Sequence, residues 1–302
     1  MLSNFLAPAI TVTLPYNFNV KNLHVVLEGA LDDSMMARSS KIKFDFATLK
    51  FIDPTAITVL SNLIEYLKHR QNARVFFTNY NFPTEGNKYL DDSGFFQLYV
   101  GKQVFEGCKL RPTTLPLTKV SYDRSYNWIE DTFPNWISTR SGLDTESFAS
   151  IVVCLKEIFN NIRDHSGETI GCVFAQHYPQ KNEVMLTISD FGVGIPTNVR
   201  KLLPDFTDAQ AIAKSVVEGF TTRSTNRNRG AGLDTLTRYV VGNNRGRVFV
   251  QSLKGSLNCI YAASGVRMLP RSELVAYPGT LIQIVFRIDM LDQLGRKEEF
   301  EW

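Results

Sequence analysis

The segment Glu157-Ile158-Phe159-Asn160-Asn161-Ile162-Arg163-Asp164-His165 lies within residues 151–163, where Ile151, Leu155, Ile158 and Ile162 recur at three- and four-residue steps. That period predicts a helix with one apolar face. Glu157, Asn161 and His165 are four apart, so they form a second, slowly drifting stripe on one side of the helix. A carboxylate one turn from a carboxamide is ordinary on a helix surface. It gains meaning from three later segments: Asp190-Phe191-Gly192-Val193-Gly194, Arg229-Gly230-Ala231-Gly232-Leu233 and Gly279-Thr280.

The bulk composition narrows the setting. The 302 residues are 44% hydrophobic and 21% charged, enough apolar material for two cores. A formal charge of +3 and a pI near 8.6 are too mild to imply nucleic acid or an anionic membrane. The basic residues that cluster, Arg223, Arg227 and Arg229, suit a small polyanion better than a duplex. Cys108, Cys154, Cys172 and Cys259 are scattered without a C-x-x-C pair, which argues against a disulfide framework or structural zinc and for a reducing, cytoplasmic setting. The first 14 residues lack a basic leader, and no run reaches the roughly 18 apolar residues of a membrane span.

Each segment suggests a piece of chemistry. Magnesium keeps its waters tightly and takes few protein oxygens, so the Asn161 amide oxygen would suffice as its ligand. Glu157, one turn earlier, could hold or deprotonate an attacking hydroxyl or water. Residues 183–189 alternate Val184, Leu186 and Ile188 as a half-buried strand, with Asp190 at its end. A carboxylate there can accept a hydrogen bond from an exocyclic amine such as that of adenine, and Gly192 and Gly194 would let a flat base approach the backbone. Asp-Phe-Gly also occurs in protein kinases, but this chain has neither their His-Arg-Asp loop nor their Gly-rich loop and Lys. Gly230 and Gly232 open an amphipathic helix with Leu233, Leu236, Tyr239 and Val240. Backbone N–H groups there would face phosphates, and the polar residues 197–228 read as a lid. Pro278-Gly279-Thr280 precedes a strongly apolar strand, 281–286, where Thr280 could bond Asp190 or a water beside the base.

In this order and on these elements, the four segments resemble the GHKL ATPase superfamily: gyrase, the heat-shock chaperone ATPase, mismatch-repair ATPases, histidine kinases and anti-sigma-factor serine kinases. The resemblance spans residues 128–288. It implies a Bergerat-type α/β sandwich that binds ATP with magnesium. Asn161 would be the metal ligand, Asp190, Gly192, Gly194, Ile195 and Thr280 would lie around the base, and Arg229, Gly230, Gly232 and Leu233 would lie at the phosphates. Glu157 would be the catalytic base. His165-Ser166 after the Asn161 helix resembles the anti-sigma-kinase and histidine-kinase branch, in which His165 would be structural or phosphate-proximal.

The first part of the chain reads as a small α/β unit. Residues 21–28 and 42–46 have strand character, Asp53-Pro54 starts a helix bearing Ile57, Leu60, Leu63, Ile64 and Leu67, and 74–78 is a further strand. A second helix is expected around 87–90. This succession predicts a sheet covered by helices on one side. Residues 25–99 resemble the STAS domain of anti-sigma-factor antagonists, through Lys50-Phe51-Ile52-Asp53-Pro54-Thr55-Ala56. That family has Asp-Ser-Ser-Gly here, and Thr55 matches its phosphorylated serine, while Pro54 and Ala56 depart from the pattern. Read as a helix-start residue, Thr55 needs no phosphate.

The expected organisation is therefore α/β (α+β): a STAS-like unit over 1–106, a linker over 107–120 and the ATP-binding unit over 121–302. Residues 123–140 are expected to be helical with an interruption at Pro134. The chain stops at Trp302, soon after the last strand, so the transducer domain of gyrase-type ATPases is not expected. The resemblance implies a cytoplasmic signalling switch whose protein partner is an antagonist-like regulator or a substrate, without nucleic acid or membrane. Three activities stay open: a protein serine/threonine kinase or slow ATPase, a nucleotide-gated binding module, and an ATP-driven clamp that forms a homodimer.

Overall fold

The computed structural model describes residues 8–166, 170–217, 220 and 233–291; for 120–124, 161–166 and 170 the description is confined to the backbone. The first half runs β1 (Ile10–Thr13), β2 (Asn17–Phe18), α1 (Leu23–Ala30), β3 (Lys41–Asp45), β4 (Phe51–Ile52), α2 (Pro54–His69), β5 (Arg74–Thr78), α3 (Glu85–Asp92) and α4 (Phe95–Tyr99). Strands β1, β3 and β5 form a parallel sheet in that order, and β2 pairs with β4. Parallel neighbours need crossovers, which α1 and α2 supply.

Residues 21–28, expected to be a strand, instead contribute to α1. Leu23, Val26, Leu27 and Ala30 are its buried positions, a helical spacing that outweighs the β-propensity of its valines, and Val25 is left exposed. At α2 the expectation holds: the Asp53 carboxylate accepts the Ala56 N–H at 2.8 Å, and proline occupies the first turn.

The second half runs β6 (Thr114–Ser121), α5 (Tyr122–Asn127), α6 (Phe133–Ser141), α7 (Ala149–Ser166), β7 (Ile170–Tyr178), β8 (Glu183–Asp190), α8 (Ile195–Val199), α9 (Asp208–Ser215), α10 (Leu233–Thr237), β9 (Arg247–Ala262) and β10 (Gly265–Arg287). A π-helical turn, Trp128–Thr132, joins α5 to α6, and Pro134 falls in the first turn of α6 rather than breaking a helix. Much of 107–120, expected as linker, is β6. Its Pro116 sits at the register irregularity between Leu115 and Thr118 on an edge strand, where a missing N–H is tolerated.

The five strands β6-β7-β8-β10-β9 form an antiparallel sheet. Successive side chains point to opposite faces. Val173, Ala175, Val184, Leu186, Ile188, Ile282, Ile284 and Phe286 pack with Ile151, Leu155 and Ile158 of α7 and Leu236 of α10. The intervening Phe174 and Leu281 pack with the core of the first half, among Ile57, Leu60 and Ile64 of α2. The molecule is therefore a mixed α/β stack: a three-stranded sheet, α1 and α2, the five-stranded sheet, then α6, α7 and α10. Helix α2 is buried along nearly its whole length, including Thr55, Thr58, Ser61, Asn62 and Glu65.

Candidate functional site

Strand β8 ends in Asp190, which has the parity of Val184, Leu186 and Ile188 and so belongs to the α7 face of the sheet. The residue is buried, and one carboxylate oxygen accepts the Gly192 N–H at 2.7 Å. In the antiparallel register Thr280 of β10 lies opposite Asp190. Its hydroxyl is 3.4 Å from Ser252 Oγ on β9.

Two glycines make this corner possible. Gly279 has φ +93°, and a Cβ there would fall on the Asp190 carbonyl and within 2.6 Å of Phe191 Cα. Gly194 has φ +81°, and a Cβ there would lie 2.7 Å from Ser252 Oγ. Gly194 was expected to leave space for a flat base; its empty side is filled by Ser252, Leu253 and the Gly279 carbonyl. The requirement for glycine there is set by close packing and positive φ. Ser252 Oγ ties the pieces together, donating to the Gly279 carbonyl at 2.6 Å and accepting the Ile195 N–H at 3.0 Å. Irregular pairing between Tyr277 and Thr280, and the positive φ of 50° at Leu253, mark this as a bulge within the β9–β10 pair, which continues beyond it to Gly265 and Ala262.

Glu157 is half-buried on α7, and the Asn161 backbone follows one turn later. Leu233 opens α10 as a buried residue of the same core, and Ile195 packs against it. Thus α7 and α10 pack on one face of the sheet, whose paired strands β8 and β10 place Asp190 opposite Thr280. Arg223, Arg227, Arg229, Gly230 and Gly232 lie outside the described residues, as do the side chains of Asn161 and His165. Among the described residues no group of three or more His, Cys, Asp or Glu side chains gathers to hold a metal. A magnesium ligated by one protein amide and nucleotide phosphates needs no such cluster.

On the opposite face, α2 reaches the same strand ends through residues that composition and periodicity did not single out. Asn62 Nδ2 donates to the Asp190 carbonyl at 3.0 Å and to the Tyr277 hydroxyl at 3.1 Å. Tyr277 meets Ser189 Oγ at 2.5 Å, and Ser189 Oγ donates to the Thr280 carbonyl at 3.1 Å. Burial keeps the Tyr277 hydroxyl far above its ordinary pKa and hence protonated. Thr55 is fully buried and accepts a hydrogen bond from Gln283 Nε2. The available signal was the polar stripe Thr55, Thr58, Asn62 and Glu65, which reads as a solvated face until a second sheet covers it.

Cavities of roughly 600 and 420 Å³ open elsewhere, one between β7 and α3 and one beside the N-terminal half of α7. No described helix is long and apolar enough to cross a membrane.

No protein-family model matches the chain, and no curated protein matches it. Among solved structures it is similar to a crystal structure of the N-terminal domain of a DNA repair protein, at 17% identity and a TM-score of 0.18. The match covers 38% of this chain and 30% of that one, a likeness too slight to carry fold or function.

Proposed function

We propose that this chain is an ATP- and magnesium-binding regulatory protein of the GHKL type, in which a Bergerat-type unit is built around the five-stranded sheet and a STAS-like unit around β1, β3 and β5. The observation that carries this reading is the shared sheet face. Glu157 and Leu233 sit on the two helices α7 and α10 that pack on one face of the sheet, and Asp190 and Thr280, distant in sequence, lie opposite each other on its neighbouring strands β8 and β10. A buried carboxylate at a strand end suits the amine of adenine. In this reading Asp190 accepts that N–H, Asn161 supplies an amide oxygen to magnesium, and the start of α10 lies near the phosphates. ATP, when bound, supplies a transferable phosphoryl group. Glu157 would take the proton from the attacking hydroxyl, of a protein serine or threonine or of water.

The setting we infer is a cytoplasmic switch acting on a protein partner. The buried Thr55 favours a partner's hydroxyl over this chain's own as acceptor, since Thr55 is reached only if α2 leaves the sheet. The test is incubation with γ-labelled ATP and magnesium, following protein-bound label and free phosphate, beside Asn161→Ala. Label on an added partner would identify a kinase, free phosphate an ATPase, and binding without either product a nucleotide-gated module. Failure to bind ATP overturns the reading.

A further inference from the structure

We propose that Asn62, on the helix that joins the two halves, is a positioning residue for Asp190, so that the first half of the chain sets the adenine selectivity of the second. This rests on the ATP reading above and adds to it a control exerted in cis.

Hydrogen-bond accounting gives the network a direction. The Asn62 amide has two N–H donors, and the structure uses one on the Asp190 carbonyl and one on the Tyr277 hydroxyl. The opposite amide orientation would set two acceptors, Asn62 Oδ1 and the Asp190 carbonyl, against each other. Because Tyr277 accepts from Asn62, its own hydrogen goes to Ser189 Oγ, and the Ser189 hydrogen then goes to the Thr280 carbonyl. The chain thus begins on α2 and ends on the backbones of Asp190 and Thr280. Asn62, Tyr277 and Ser189 are all essentially inaccessible to solvent. Asn62 Oδ1 has no partner, so a buried acceptor is left unmatched while both donors are committed to this corner.

The consequence follows from where Asp190 sits. Its carbonyl is fixed from the α2 side by Asn62, and its carboxylate is turned by Gly192. Removing the Asn62 amide frees the Asp190 peptide plane and lets its carboxylate drift, while the other residues on the α7 face stay in place. The loss should therefore fall on the contact to the exocyclic amine and not on the phosphates.

The experiment compares equilibrium binding of ATP and of ITP, which lacks that amine, to the full-length wild type, Asn62→Ala and Tyr277→Phe, with melting curves for each. A hydrogen bond to a charged carboxylate predicts that wild type prefers ATP by about 10- to 100-fold. Asn62→Ala should reduce this preference to within about threefold, with ITP affinity unchanged. Tyr277→Phe, which keeps the ring, should move the ratio in the same direction and decides the matter if Asn62→Ala does not fold. A folded variant that retains the wild-type ratio, or loses both nucleotides equally, overturns the positioning role. Wild type that fails to bind ATP overturns the nucleotide reading itself, and this inference with it.

Discussion

Gln283 Nε2 donates a 2.5 Å hydrogen bond to Thr55 Oγ1, joining the first turn of α2 to the last part of β10 across a buried interface. The Thr187 hydroxyl lies 3.5 Å from the same oxygen. Thr55→Val should leave the Gln283 amide with only its weak 3.7 Å contact to Met185 Sδ and destabilise the protein by about 1–3 kcal/mol. Adding Gln283→Leu should recover most of that loss, because the unmatched donor is gone. Thr55→Glu should be worse than either, at roughly 3–5 kcal/mol, since it buries an unpaired charge. Urea unfolding of wild type, Thr55→Val, Gln283→Leu and the double variant provides the double-mutant cycle; strict additivity of the two neutral changes would show that the bond contributes nothing.

The corner at Gly279 should be equally intolerant, for a steric reason. An alanine there must hold φ near +93° and place its methyl against Phe191 Cα and the Asp190 carbonyl. Left-handed backbone costs roughly 1–2 kcal/mol and overpacking about 1–3 more. Gly142 is a control within the same molecule, with φ +75° and nothing within 4 Å of a built Cβ. Gly142→Ala should cost only about 1 kcal/mol. Equal losses for the two alanines would mean that the crowding at Gly279 relaxes freely.

Periodicity made the helices α2 and α7 and the strand β8 legible, because each carries an apolar pattern with a single period, while β5 was legible from its adjacent Val75, Phe76 and Phe77. Leu23, Val26, Leu27 and Ala30 carry the helical spacing too, but over eight residues it competes with the adjacent β-branched pair Val25 and Val26. The α2 interface was hidden for a different reason. Thr55, Thr58, Asn62 and Glu65 form the polar stripe expected of a solvated helix, and only the second sheet shows them to be interior groups, with Thr55, Asn62 and Glu65 matched to Gln283, Asp190 and Lys119 and Thr58 bonded to the Pro54 carbonyl of its own helix. Gly194 was legible as a required glycine but not as the packing partner of Ser252, because that contact depends on a strand 58 positions later (Gly194 to Ser252).

Under the proposed chemistry, Glu157 separates binding from reaction. Glu157→Gln keeps the half-buried side chain's size and removes its basicity. A positioned general base typically contributes 10²–10⁴-fold, so phosphoryl transfer should fall by at least about 100-fold while ATP affinity stays within about threefold. Stopped turnover with unchanged binding is the expected pattern. A parallel fall in both would assign Glu157 to nucleotide binding, and unchanged turnover would remove it from the mechanism.

Asp53 offers a pH signature of the α2 N-terminus. Burial raises its carboxyl from 3.8 to about 6, only partly opposed by the backbone N–H groups it caps. The folded protein therefore holds this proton more tightly than the unfolded chain. The associated stability is fully present below pH 3.8 and is lost as pH rises through about 6. A shift of about two pKa units corresponds to roughly 3 kcal/mol at most. Asn caps a helix about as well as Asp but does not titrate, so Asp53→Asn should remove this slope while keeping the cap. Urea unfolding of both proteins at about pH 4 and about pH 7 should show wild type losing stability relative to Asp53→Asn across that interval. Parallel profiles would mean that the Asp53 carboxylate is as well solvated in the folded protein as in the unfolded chain.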